Sequence, residues 1–415
     1  MTSLRISSAL LGVLALAACG QTAVAPSTPG ARLQVSDVAR AEPPADVPVD
    51  AAATDIATFG HDLLGELKPS GNVVISPASI ATAFAMLRPS ARGATAEEID
   101  AVMHFPADRL GPTFNALTRG WETGEPATDD DPDLAIANAL WAKEDLTLEP
   151  SYLDAVKADF GAGVRTVDFT SPRAKKEIDV WVQEQTRDRI EELFDEIDPD
   201  TTLVVANAVY LKATWENEFD AAMTREADFT LADGSVIQAE TMQGDGSRDY
   251  ASGDGWTAVR LPYARSELSM WVLLPDEGAD LAPVDLLAPA VLAEARDVAE
   301  PRDVHLVLPR WDFQTDKPLN DPLQVLGMVT PFSGDADFSA AGDLGVIGQV
   351  IHRADITVDE KGTEAAAVTG IGMEESAVQI PSLSFEADRP FAFAIVDDTT
   401  GAPIFEGVVA DPTAG

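Results

Sequence analysis

Cysteine is nearly absent from this chain of 415 residues: Cys19 stands alone, so no intramolecular disulfide can form. Positive charge is also scarce, with 28 Lys and Arg against 70 Asp and Glu and a formal net charge of −42. That balance excludes phosphate-backbone binding, which needs clustered basic residues, so no nucleic-acid partner is expected. It reads as a solvated, self-repelling surface. Long apolar runs are missing as well: the N-terminal run within residues 4–18 is too short to span a bilayer. No G-x-S-x-G elbow, GK[ST] phosphate loop, H-E-x-x-H pair or EF-hand spacing occurs. The four histidines, His61, His104, His305 and His352, lie far apart and outside any ligand-spaced pair. The acidic run Asp129-Asp130-Asp131-Pro132-Asp133 reads as a solvated loop rather than a cation site. The chain is therefore expected not to be an enzyme and to carry neither metal nor cofactor.

Two further absences are local. No proline occurs between Pro331 and Pro381, and no Lys or Arg between Lys361 and Arg389. The first lets residues 355–380 extend a strand without losing ladder hydrogen bonds. Yet Gly362, Gly370 and Gly372, and the length of the stretch, equally suit an exposed loop. The stretch begins as a strand, with Ile356 and Val358 on one side and Thr357 and Asp359 on the other. Small residues then take over, from Thr363 to Val368.

What is present is enough for a sizeable core, at 46% hydrophobic residues. Residues 1–18 read as a signal peptide: one positive charge, an apolar run, then small residues. The ending Leu16-Ala17-Ala18-Cys19 resembles the lipobox of bacterial lipoproteins. That resemblance implies cleavage before Cys19 and lipid on its sulfur, hence membrane anchoring in a bacterial cell envelope, at the outer membrane or cell surface. An ordinary secretory signal is the alternative. Residues 19–52, rich in Ala and Pro and without aromatics, read as a flexible tether. Residues 53–415 read as a single domain.

Within that domain Ile56, Phe59, Leu63, Leu64 and Leu67 fall at helical spacing. Ser79–Leu87 predicts a buried helix, apolar nearly all round, and Thr95–Ile99 opens another. Leu134–Trp141 alternates as a strand. Residues 171–194 predict an amphipathic helix. Thr202–Leu211 is apolar on both faces and predicts a central, doubly covered strand. Residues 227–275 read as meandering β structure, and further strands are expected over 304–308, 346–358, 391–396 and 404–409. Helices come mostly early and strands mostly late, without βαβ alternation, so the expected class is α+β.

Several segments together resemble the serpins, the serine protease inhibitor family. Asp359-Glu360-Lys361-Gly362-Thr363-Glu364-Ala365-Ala366-Ala367 looks like the hinge of their reactive loop. Asn72 to Ser79 resembles the N-x-x-x-S-P-x-S segment, and Asn207 to Trp215 the N-x-x-x-x-K-x-x-W strand. Phe385–Phe391 and Phe405–Val409 resemble the C-terminal strands. The order is correct and the match runs from about Ala53.

The resemblance implies helices around a large central mixed sheet, further sheets, and an exposed reactive-centre loop over about 360–381. A protease cleaves the loop, forms an acyl-enzyme, and is trapped when the loop inserts into the sheet. The protein would be metastable and spent after one use. Gly362 and Thr363, Glu364, Ala365, Ala366, Ala367 and Val368 would form the hinge. Strand alternation puts Thr363, Ala365, Ala367, Thr369, Ile371 and Met373 on one uncharged face. Insertion would form ~10 backbone hydrogen bonds at roughly 1 kcal/mol net each. Glu360 resembles the family's loop-base glutamate, and Arg310 is the suggested partner. Trp215 would pack where the sheet first opens, while Ser76 with Ser79, Asn207 and His352 fall where the family's mid-sheet polar cluster sits.

Counting the usual loop length from Glu360 puts the reactive bond at Ser376–Ala377, with Glu375–Ser376 and Met373–Glu374 as alternatives. The corresponding targets are elastase-like or subtilisin-like, glutamate-specific, and chymotrypsin-like serine proteases; a cysteine protease is the lesser expectation. Trypsin-like targets are not expected, for want of Lys or Arg in the loop. Residues 101–124 hold few basic residues, so no heparin-like cofactor is expected. A monomer is expected. The competing reading is a non-inhibitory serpin acting as a binding or chaperone-like surface protein, whose hinge would tend to carry charged or bulky residues.

Overall fold

A run apolar on both faces must lie inside a covered sheet, and residues 203–211 are buried throughout. The computed structural model describes residues 31–67, 71–123, 126, 128, 131–193, 196–342, 344–363 and 383–415. Its strands are β1 (Arg32–Gln34), β2 (Val73–Ile75), β3 (Asp133–Lys143), β4 (Val164–Val167), β5 (Leu203–Thr214), β6 (Arg225–Thr230), β7 (Val236–Gly253) and β8 (Trp256–Pro262). They continue with β9 (Leu268–Pro275), β10 (Glu300–Pro309), β11 (Trp311–Pro318), β12 (Ile347–Val358), β13 (Gly362–Thr363), β14 (Leu383–Glu386), β15 (Phe391–Asp397) and β16 (Pro403–Val409). The helices are α1 (Val49–Leu67), α2 (Pro77–Leu87), α3 (Gly93–Met103), α4 (Leu110–Trp121), α5 (Pro150–Phe160), α6 (Ala174–Gln185), α7 (Pro289–Val298) and α8 (Asn320–Val325).

The central sheet runs β1-β4-β3-β5-β13-β12-β11, and a second sheet runs β14-β10-β7-β8-β9-β15-β16-β2 with β6 on β7. This is the expected α+β arrangement. Both faces of β5 are covered. On one side lies α2, buried along its whole length, capped by the Ser76 hydroxyl and started by Pro77. On the other, α6 closes a second core of Trp141, Ile178, Trp181, Val182, Val204 and Ala206. Trp141 and Trp181 meet edge to face at 5.9 Å, with the Arg165 guanidinium over both rings.

Two expectations need correction, and one helix is absent from the sequence reading. The tether reading of residues 19–52 fails from Arg32 on. β1 pairs antiparallel with β4 at the sheet edge, and α1 begins at Val49 with Ala52 and Ala53 buried. Arg40 binds Asn115 and Thr118 of α4, so polar side chains rather than an apolar stripe dock this segment. The helix expected over 171–194 spans only Ala174–Gln185, and Arg187 and Asp188 then take positive φ of 54° and 63°. Helix α4 went unread because Gly111, Pro112 and Gly120 interrupt its periodicity.

One buried group runs against the stability of the fold. Glu406 sits on β16, fully buried, and among the described residues neither carboxyl oxygen has a hydrogen-bond partner. A Cβ on Gly60 of α1 would lie 2.2 Å from its Oε2, so glycine alone lets the helix approach. Burial pushes the carboxyl well above the ordinary carboxylate range. The folded protein therefore keeps a proton that the unfolded chain releases above about pH 4.3, and this group costs more stability as pH rises from there. Replacing Glu406 with Met is expected to raise thermal stability at pH 8 more than at pH 5, by about 1–3 kcal/mol at the higher pH. Melting temperatures of the two proteins at both pH values check this.

Candidate functional site: the seam between β5 and β12

β5 and β12 run parallel and are bonded from the Leu203–Ile347 pair to the Val209–Ala354 pair. Beyond that they part, and β13 fills the gap. Gly362 pairs with Thr214, and Thr363 pairs with Ala213 on one side and Val358 on the other. β13 is antiparallel to both neighbours, the orientation any strand arriving from the end of β12 must take. Gly362 is required by close approach: a Cβ there would lie 2.0 Å from the Ala213 carbonyl oxygen.

The side chains around this end form one connected set. Thr363 is 2% exposed, and its hydroxyl meets the Tyr263 phenol at 2.6 Å. Burial pushes that phenol upward, so it stays neutral. Tyr263 stacks on Trp215 with ring centres 4.6 Å apart. The Trp215 indole N–H donates to the Asp359 carbonyl at 3.0 Å, and its backbone N–H to the Lys361 carbonyl at 2.7 Å. Next to it, Arg310 grips the Glu360 carboxylate in a fork, with Nε to Oε1 at 2.9 Å and Nη2 to Oε2 at 2.5 Å. The Thr224 hydroxyl donates to the same carboxylate. Burial opposes the charge on Glu360, but Arg310 and Thr224 outweigh it and hold its pKa below the usual range. With its carboxylate only 7% exposed, Glu360 is an anchored base for the chain that follows.

Lower in the seam lies a second cluster. His352 of β12 faces Asn207 of β5, one of the bonded pairs. Its Nε2 accepts the Ser76 backbone N–H at 3.0 Å, which leaves Nδ1–H to donate to Asn207 Oδ1. Asn207 Nδ2 donates to Ser79 Oγ and to Asn138 Oδ1. Burial drives the His352 pKa down to about 3, so the ring is neutral. The network ties both sides of the seam to the start of α2.

The residues singled out in the sequence thus form two groups: Trp215, Arg310, Glu360, Gly362 and Thr363 at the open end, and Ser76, Ser79, Asn207 and His352 lower down. Glu364, Ala365, Ala366, Ala367, Val368, Met373, Glu375, Ser376, Ala377 and Cys19 lie outside the described residues. Tyr263, Thr224 and Asn138 were missed. Each reaches its group from a strand or turn remote in sequence, so no local spacing marks it.

A profile of the family described as serpin (serine protease inhibitor) matches residues 54–412. The chain belongs to the serpin family. A serpin-like protein of Thermococcus kodakarensis is 35% identical over 376 residues, covering 87% of this chain and 85% of that protein. Serpin A3-3 of Bos taurus is 33% identical, covering 87% of this chain and 88% of its own. Among solved structures, the thermophilic serpin tengpin in its native state superposes with a TM-score of 0.80 at 27% identity, over 90% of this serpin and 97% of tengpin. Thyroxine-binding globulin in complex with thyroxine gives a TM-score of 0.78 at 26% identity, over 88% of this serpin and 100% of the globulin. Serpins in general are non-catalytic protease inhibitors, and the two clusters flank the seam at the centre of this serpin's main sheet.

The His352 geometry sets a pH dependence. Unfolded histidine protonates near 6.5 while the folded ring resists to about 3, so the unfolded chain binds the extra proton between these values. Stability from this group is present at neutral pH and falls as pH drops, by about 2 kcal/mol at pH 5. A His352→Gln serpin is expected to lose this component of the pH slope. Denaturation midpoints of both proteins at pH 7 and pH 5 measure it; equal slopes would contradict the assignment.

Proposed function

We propose that this serpin is an irreversible suicide-substrate inhibitor of serine proteases. The observation that carries the reading is the started strand: Gly362 and Thr363 already occupy the end of the β5–β12 seam, in the register an inserting loop needs. The protease serine oxygen attacks the scissile carbonyl, the amine leaves with the C-terminal fragment, and an ester joins the protease to the loop. The chain before the cut then continues β13 down the seam. The β5–β12 hydrogen bonds are exchanged for bonds from each strand to the new one. The ester-linked protease is carried along and distorted before water releases it. The serpin supplies binding and refolding energy, not a catalytic group.

Continuing the register residue by residue brings Thr369 opposite Asn207 on one side and His352 on the other. Paired residues share a face, so its hydroxyl would enter the cluster those two form. Every residue on that face from Thr363 to Met373 is uncharged, which supports insertion over a non-inhibitory, carrier-like role. Ser376–Ala377 is the proposed reactive bond, with Glu375–Ser376 and Met373–Glu374 as alternatives. An elastase-like or subtilisin-like target follows from the first, and a glutamate-specific or chymotrypsin-like one from the others. A heparin-like activator is not proposed, because Arg109 is held by Asp46 and Arg119 by Glu42. Among the described residues no helix is long and apolar enough to cross a membrane. Attachment of the monomer to a bacterial envelope is proposed through lipid on Cys19.

Incubation with a subtilisin-like or elastase-like protease is expected to give an SDS-resistant complex. The released C-terminal fragment should begin at Ala377 by mass spectrometry. An Ala365→Arg serpin should be cleaved at the same bond without forming the complex, because insertion would have to carry the charge into the packed face of the sheet. A Thr369→Val serpin should still trap protease, but with at least about twofold more serpin consumed per enzyme trapped, since Asn207 and His352 lose an arriving partner. Cleavage without complex by the unmodified protein would overturn the inhibitory reading.

A further inference from the structure

The register of the central sheet fixes where the chain enters the domain. Arg32 of β1 pairs with Thr166 of β4, Thr166 with Ala142 of β3, and Ala142 with Leu203 of β5. β1 is antiparallel to β4, β4 parallel to β3, and β3 antiparallel to β5. β1 therefore runs in the direction of β5, from this row toward the base of the reactive loop. That base, where Gly362 pairs with Thr214, lies at the other end of β5, ~36 Å from Leu203 at about 3.3 Å per residue. The chain before Arg32 thus meets the domain at the pole opposite the loop. Residues 20–31 separate Cys19 from β1, a reach of at most about 45 Å. Turning the loop base toward whatever holds Cys19 would need most of that reach just to climb the sheet.

A second stretch turns at the same pole. β11 pairs with β12 as far as Pro318 and Ile351, and Asn320, which opens α8, bonds to Gly348 and Val350 of β12. Eight large apolar side chains are exposed among the described residues, and five belong to these two stretches: Leu33, Val35 and Val38 where the chain enters, and Val325 and Val329 at and just beyond the end of α8. Exposed apolar groups gathered at one end mark an interaction surface. The short reach from Cys19 to this end names the occupant, a lipid surface. A formal net charge of −42 sets the kind, because an anionic surface would repel it.

We propose that this pole rests on a zwitterionic lipid bilayer, its exposed apolar side chains against the interface and the reactive loop held pointing away. The inference rests on lipid attachment at Cys19. The protease partner is then a soluble enzyme arriving from the aqueous side, not one held in the same membrane.

Energy transfer to the bilayer tests the orientation. The full chain is recovered from membranes of an expressing bacterium and placed in phosphatidylcholine vesicles that hold an acceptor-dye lipid. With lipid on the Cys19 sulfur, an Asp321→Cys or a Ser376→Cys serpin offers one free thiol for a donor dye. Transfer from position 321 is expected to be at least threefold more efficient than from position 376. Equal or reversed efficiencies in the lipidated chain would overturn the orientation alone. Recovery of the chain without lipid would overturn the attachment, and the orientation with it. Adding Leu33→Asp and Val325→Asp to the Asp321→Cys serpin should lower its transfer at least twofold; unchanged transfer would overturn the apolar contact. The anchored serpin should also trap a soluble subtilisin-like protease at least tenfold faster than the same amount of enzyme tethered to the vesicles by a short linker. Equal rates would overturn the partner assignment, whereas failure to trap the soluble enzyme would count against the inhibitory reading alone.

Discussion

Two parallel strands that separate at one end are the constraint on which the rest depends. β5 and β12 hold each other by backbone bonds over most of their shared length, and neither can change partner alone. β3 and β4 follow β5, and β11 follows β12. A strand entering between them must run antiparallel to both, and β13 already does so for two residues. The wedge is fixed by residues that cannot be exchanged freely: a glycine pressed against the Ala213 carbonyl, a threonine bonded to Tyr263, and a glutamate gripped by Arg310. The anchor holds the loop base in place while the seam below it stays closed.

Closure is assigned to polar groups rather than to packing alone. His352, Asn207, Asn138, Ser79 and the Ser76 backbone form one buried network across the seam. Buried polar networks are specific because each member has few substitutes. Neutral His352 fits only in the tautomer that accepts from Ser76, which makes the closed seam sensitive to acid. Glu406, on the second sheet, pulls the other way with pH. It is a buried acid without partners among the described residues, and its cost to the fold grows toward alkaline conditions. The two groups together place the most stable conditions between their opposing slopes.

Much of this was readable in the sequence where a single rule decides. Residues 203–211 are apolar on both faces, and such a strand has to be central. Gly362 followed by small residues at Thr363 and Ala365 marks a stretch that can enter a packed sheet. Arg310 and Glu360 are paired through the family resemblance, and the fold brings them within hydrogen-bonding distance. The misses have equally definite causes. Helix α4 hides behind Gly111, Pro112 and Gly120. β1 is three residues long, and the segment after it docks through Arg40 and Asn115 rather than through an apolar face. Tyr263 comes from a turn beyond β8, about a hundred residues from Thr363, so only the folded chain brings the two hydroxyls together. Two hinge residues in the ladder rather than outside it were also beyond sequence reasoning, which yields alternation but not occupancy.

In the proposed mechanism the intact protein holds back a more stable arrangement with the loop fully inserted. Its most direct test is the melting temperature of the intact serpin against that of the same protein cut once in the loop. If the cut chain completes β13 and gains ~10 backbone bonds, the cleaved form should melt higher by on the order of 20 °C. A cleaved form that melts at or below the temperature of the intact protein would contradict the account.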